Sequence, residues 1–189
     1  METAPMKHIL TLSTALACLS MWLTARAPQQ SAPPGPSPQQ QMMGYFAGDW
    51  TLTGTMKISP NTPAAAFTGS EHGEWVPGSF FLETHSKTKG PLGDVRATRV
   101  MEYNPEKQVY TYNVYNSLGE HQLALGEVHG NIWTWTAEEK LDDVITKGRY
   151  TITITSPTTY EFKSEVATPT GAWSSVMEGK AVRSQPRGQ

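Results

Sequence analysis

Cysteine is nearly absent from this 189-residue chain: the single one, Cys18, lies in an N-terminal stretch that reads as an export signal. With that stretch removed, no disulfide, thiolate metal ligand or thiol nucleophile remains, so packing alone must stabilise an exported fold. Charge is sparse as well, at 17% of residues with a formal net charge of −2. Lysine and arginine are scattered and mixed with acids, which argues against nucleic acid as a partner. Enzyme signatures are missing too. There is no Gly-x-Ser-x-Gly elbow, no His-Glu-x-x-His, no phosphate-cradling glycine loop and no Cys-x-x-Cys. A barrel can still bring an acid and a base together from separate strands, so these absences lean against an enzyme without excluding one.

Long apolar runs are limited to one, from Ile9 to Leu23. It is shorter than the ~20 residues of a spanning helix, and no second run of that length follows, so no membrane span is expected. Lys7 and His8 precede it, and Ala25-Arg26-Ala27 after it has the small-x-small form of a signal peptidase site. Residues 1–27 therefore read as a signal peptide, with Met6 as an alternative start, and the location as secreted or periplasmic. Pro28 directly after the cut is unfavourable for cleavage, and Ala15-Leu16-Ala17 before Cys18 loosely resembles a lipoprotein box. Because the apolar run continues past Cys18 to Leu23, plain export is favoured over a lipid anchor on Cys18. Residues 28–43 are rich in proline and glutamine and read as a disordered tether. Residues 184–189 read as a flexible tail, which leaves one domain, residues 44–183.

What fills that domain is β-type alternation. Ten short runs separated by turn residues occupy Gly44 to Arg183. Trp50, Leu52, Gly54, Met56 and Ile58 share one face of the first, against Thr51, Thr53, Thr55 and Lys57. Later runs end at Pro77-Gly78, Asn104-Pro105-Glu106-Lys107, Asn116-Ser117-Leu118-Gly119 and His129-Gly130-Asn131, all turn-forming sequences. The only helical stretch is a short turn around Gln40 to Ala47. Short turns between successive strands predict a single antiparallel up-and-down β-barrel of about ten strands, all-β and of lipocalin or fatty-acid-binding-protein type, because closure removes the exposed edges of so long a sheet. A two-sheet sandwich is the structural alternative.

Several short motifs in this order carry a resemblance. Gly48-Asp49-Trp50 leading into Gly54, Trp75-x-x-Gly78-x-Phe80-Phe81, Tyr103-Asn104-Pro105-x-Lys107-x-Val109-Tyr110 and Asn116-Ser117-x-Gly119 resemble a bacterial lipocalin-like family known as a domain of unknown function. The resemblance spans residues 44–183. It implies a calycin-type barrel and small-molecule binding, and it brings no catalytic residues to carry over.

The strands are rich in aromatic residues, which either fill a small barrel or line a cavity for one ligand. On the second reading Trp50, Trp75, Tyr103, Tyr112 and Trp135 supply apolar contact to a small apolar or amphipathic molecule, and Arg99 a polar anchor. Arg99 shares its strand face with Val95, Ala97, Met101 and Tyr103. An arginine on an apolar face needs a partner, either an internal carboxylate such as Glu83 or the carboxylate of a ligand. The internal pair is favoured. No cofactor is expected: the nitrobindins, barrels with a similar Gly-x-Trp opening, hold haem through a histidine late in the barrel, and this chain has none after His129. No metal is expected either, since His72, His85, His121 and His129 show no ligand spacing with Glu71, Glu74, Glu83 or Glu120. Glu138, Glu139, Asp142 and Asp143 lack the pattern of a calcium loop. Two further readings stay open: a hydrolase or isomerase with its site inside the barrel, and a packed barrel acting through its surface.

Overall fold

The structure, a computed structural model, describes residues 35–141, 144–167 and 171–184. The stretch read as a signal peptide, with its small-x-small motif and Cys18, lies outside the described residues. Ten strands follow one another: β1 (Gly48–Met56), β2 (Ala65–Trp75), β3 (Phe81–Gly90), β4 (Gly93–Asn104), β5 (Val109–Asn116), β6 (His121–His129), β7 (Ile132–Leu141), β8 (Val144–Ser156), β9 (Thr159–Ala167) and β10 (Trp173–Arg183). Each pairs antiparallel with its neighbours in sequence, and β1 pairs with β10, so the sheet closes as an up-and-down barrel. The alternation that defines each strand also fixes its inner face. On β1, Trp50 and Leu52 are buried while Thr51, Thr53 and Thr55 face solvent.

The closing seam depends on glycine. Gly54 and Gly179 lie opposite each other in the β1–β10 register, and a Cβ on Gly54 would run into the Glu178 carbonyl and the Gly179 backbone. Only glycine lets the two strands come this close. On the outer wall Glu165 helps bind the last strands together. It accepts from Arg149 Nη2 at 2.7 Å and lies 2.7 Å from Lys163 Nζ, while Arg149 lies over the Trp173 ring. Burial alone would raise the Glu165 pKa, but its bonds to Lys163 and Arg149 outweigh that and lower it.

Two short helices close one end of the barrel. Helix α1 (Pro38–Met42) leads directly into a 3-10 turn, Met43–Phe46. The helix begins earlier than composition suggests, because it occupies part of the proline- and glutamine-rich stretch 28–43 read as tether. The reason is local. Proline at the first helical position suits its fixed φ, and Ser37 and Gln40 form a reciprocal capping box. Met43 and Phe46 then bury against Trp50, Tyr110, Trp133 and Tyr160. At the other terminus Ser184, the first residue of the stretch read as a tail, donates its backbone N–H to the Asp49 carbonyl at 2.8 Å. Among the described residues no helix is long and apolar enough to cross a membrane.

Candidate functional site

At the plugged end the packing is dense and largely aromatic. Phe46 meets Trp133 and Tyr160 edge-on, with centroids 5.2 and 5.7 Å apart, and Trp50 meets Tyr160 at 4.9 Å. Arg183 stacks over the Trp50 ring at 4.3 Å and donates to the carbonyls of Ala47 and Tyr45 at 2.6 Å each. The Trp50 indole donates to the Phe46 carbonyl at 3.1 Å. The opposite end is looser. Met56, Val95, Val114 and Met177 are half-buried and Gln122 is exposed, although strand alternation turns each of them inward.

Between the two ends lies a polar cluster. Alternation on β4 turns Arg99 inward beside Met101, and on β2 it turns Glu71 inward between Phe67 and Trp75. Arg99 Nη1 donates to Glu71 Oε2 at 2.9 Å and to Ser86 Oγ at 2.7 Å. Tyr160 donates its hydroxyl to Glu71 Oε1 at 3.3 Å. Arg99 lies deep among protein atoms, yet 21% of its side chain is open against 10% for Glu71. Because alternation turns Arg99 inward, this open part lies on the inner side of the wall.

The side chains packed around Arg99 on the inner face are largely aromatic. Tyr112 and Tyr150 lie parallel with centroids 6.1 Å apart, and Trp135 packs 5.0 Å from Tyr112. The Trp135 ring lies across Gly126, where any Cβ would meet it. Burial raises the pKa of Tyr112, Tyr150 and Tyr160, with Glu71 adding to the effect and Arg99 opposing it. Burial works against the Arg99 charge, yet the Arg99 pKa is raised, and at neutral pH, with the tyrosines protonated, the charge that supports it is the Glu71 carboxylate. Two buried polar atoms, Thr84 Oγ1 and Trp135 Nε1, have no hydrogen-bond partner among the described residues.

Of the six residues singled out from the sequence, three stand in the middle of the barrel: Arg99, Tyr112 and Trp135. Trp50 is buried in the plug, Trp75 packs against Gly44 of the 3-10 turn, and Tyr103 sits 4.8 Å from Tyr110 near the same end. The internal partner of Arg99 is Glu71, a correction to Glu83. On β3, Leu82, Thr84 and Ser86 take the inner positions, which turns Glu83 outward to His85 at 3.0 Å. Sequence reasoning also passed over Ser86, Thr84, Tyr150 and Tyr160 as site residues. For Glu71 a signal was present, since it shares a face with Phe67 and Trp75.

The outer wall offers less. A depression of about 860 Å³ lies over β1 to β5, bordered by Asp49, His72, His85, Lys87, Arg96 and Tyr115. It is a shallow polar surface, with His72 held by Asp49 at 2.8 Å and His85 by Glu83. His72, His85, His121 and His129 are all exposed. Among the described residues no group of three or more His, Cys, Asp or Glu side chains gathers into a metal site.

A closed ten-stranded meander with one plugged end and a polar, aromatic interior defines a calycin-like β-barrel. The chain belongs to the family described as "Protein of unknown function (DUF1579)", which matches residues 35–183. Two solved structures share the fold. Rv2717c from M. tuberculosis aligns with a TM-score of 0.57 at 12% identity, covering 79% of this chain and 99% of that one. The S-type phycobiliprotein lyase CPES from Guillardia theta aligns with a TM-score of 0.52 at 10% identity, covering 79% and 94%. No curated protein sequence matches the chain.

Proposed function

We propose that this protein is an exported barrel that binds one small apolar or amphipathic molecule in its interior. The molecule's body lies against Tyr112, Trp135 and Tyr150, and its polar end reaches Arg99. One observation carries the reading: a guanidinium with open surface stands inside the barrel, and its Nε and Nη2 have no hydrogen-bond partner among the described residues. A packed interior would leave such donors neither surface nor reason. Export, to the periplasm or out of the cell, is supported by the apolar run from Ile9 to Leu23 and the Ala25-Arg26-Ala27 site.

Native mass spectrometry of the protein purified from its own host tests both parts. The expected spectrum shows a chain shortened at its N-terminus and carrying a defined extra mass. Tyr112→Phe and Arg99→Gln should each lower the retained fraction. If both variants hold the same adduct as fully as the unaltered chain, the interior is not the binding site.

A further inference from the structure

The chemistry of the ligand's polar end can be read from which groups inside the barrel are already engaged. Charge is balanced there. Glu71 is the carboxylate on Arg99, and the surrounding Tyr112, Tyr150 and Tyr160 stay protonated at neutral pH. Among the described residues the other cation turned inward, Arg183, lies beyond the Trp50 ring with its N–H groups on the Ala47 and Tyr45 carbonyls. A second anion beside Arg99 would have to share one guanidinium with Glu71, leaving a net negative charge in a poorly solvated interior. Like charges held so close oppose each other's ionisation.

Hydrogen-bonding capacity is not balanced in the same way. A guanidinium carries five N–H donors and no acceptor, and Glu71 and Ser86 engage Nη1 alone. That leaves three N–H groups, on Nε and Nη2, without a protein acceptor among the described residues. Around them the hydroxyls of Tyr112 and Tyr150 also lack partners among the described residues, and so does Thr84 Oγ1, directly across from Arg99 in the β3–β4 register. Glu71, by contrast, already receives Arg99 on one oxygen and Tyr160 on the other. The site is therefore rich in free donors while its charge is neutralised.

We infer that the polar end of the ligand is an uncharged hydrogen-bond acceptor of the ketone, ester or amide kind, and not a carboxylate or other anion. The inference rests on the reading of the interior as the binding site. An oxygen of this kind takes up the free Arg99 donors without adding charge beside Glu71, and the rest of the molecule meets the aromatic wall. Glu71 acts here as a selectivity residue: it cancels the Arg99 charge and leaves most of the Arg99 donors free.

Three probes with the same ring separate the possibilities: naphthyl methyl ketone, the naphthoate with its carboxylate at the same ring position, and naphthalene. Their binding to the full chain at neutral pH is read by quenching of tryptophan fluorescence and by calorimetry. The ketone should bind at least about tenfold more tightly than either of the others. Glu71→Gln should reverse the order of ketone and naphthoate, because the Arg99 charge is then unmatched. A naphthoate that equals or exceeds the ketone on the unaltered chain overturns the inference while leaving the interior as the site. Three probes that bind alike, unaffected by Arg99→Gln, overturn the interior reading itself. The ranking on the unaltered chain decides alone, so a Glu71→Gln chain that fails to fold leaves the test standing.

Discussion

Arg99 and Glu71 are each costly to bury and tolerable only together. Removing one partner of such a pair leaves an uncompensated charge, which typically costs about 3–5 kcal/mol. Removing both, with neutral groups of similar size, costs much less. Urea unfolding of Glu71→Gln, Arg99→Gln and the double variant should show the two single losses far exceeding the double one, a strong coupling in the double-mutant cycle. Equal, additive losses would mean that the two side chains do not depend on each other. Arg99 was legible in the sequence because a charged residue on an apolar face stands out. Its partner reads there as Glu83 and not as Glu71, because the inner face of β3 carries Thr84 and Ser86 beside Leu82 and so hides that Glu83 points outward. Hydrophobic alternation gives no sign of which face of such a strand is buried.

Among the elements, β6 and β7 show how a wall is set by what a strand omits. Gly126 and Trp135 are register partners, and the indole occupies the room a side chain on Gly126 would need. Gly126→Ala should push the ring toward the interior at a cost of about 1–3 kcal/mol, the usual range for overpacking. Thermal unfolding would give the loss, and the near-ultraviolet circular dichroism of the tryptophans would report the displaced ring. An unchanged spectrum would show that the wall has slack. Strands of this kind were easy to delimit from the sequence, since turns such as Asn116-Ser117-Leu118-Gly119 punctuate them and the alternation between is regular. The short helical turn was expected around Gln40 to Ala47, and only its start at Pro38 was missed, because proline and glutamine lower any estimate of order by composition. Here the proline sits where its missing N–H does no harm, and Gln40 completes the cap.

For the molecule as a whole, the buried tyrosines set a limit at alkaline pH. Tyr112, Tyr150 and Tyr160 have pKa values raised above 10.0 in the folded state. The unfolded chain gives up these protons first, so the stability they contribute is complete below pH 10 and is lost as pH climbs through the folded values. Three groups acting together make the fall about 4 kcal/mol per pH unit. The phenolate absorbance that belongs to the three buried rings should appear in one step with the loss of far-ultraviolet circular dichroism, and its size is given by the difference from a chain with all three replaced by Phe. Full ionisation of the tyrosines before any loss of strand signal would place these rings in contact with solvent. The barrel and its closure were legible from ten alternating runs with short turns, since closure removes the edges of so long a sheet, whereas the residues that meet across the β1–β10 seam were not, since periodicity sets no register between distant strands. That closure also fixes when the interior comes into being. Nine of the ten pairings join strands adjacent in sequence, but the tenth joins β1 to β10, so during synthesis the wall stays split until the last strand arrives. The space around Arg99 is thus a property of the finished chain alone. A molecule bound there is enclosed no earlier than the moment β10 joins β1.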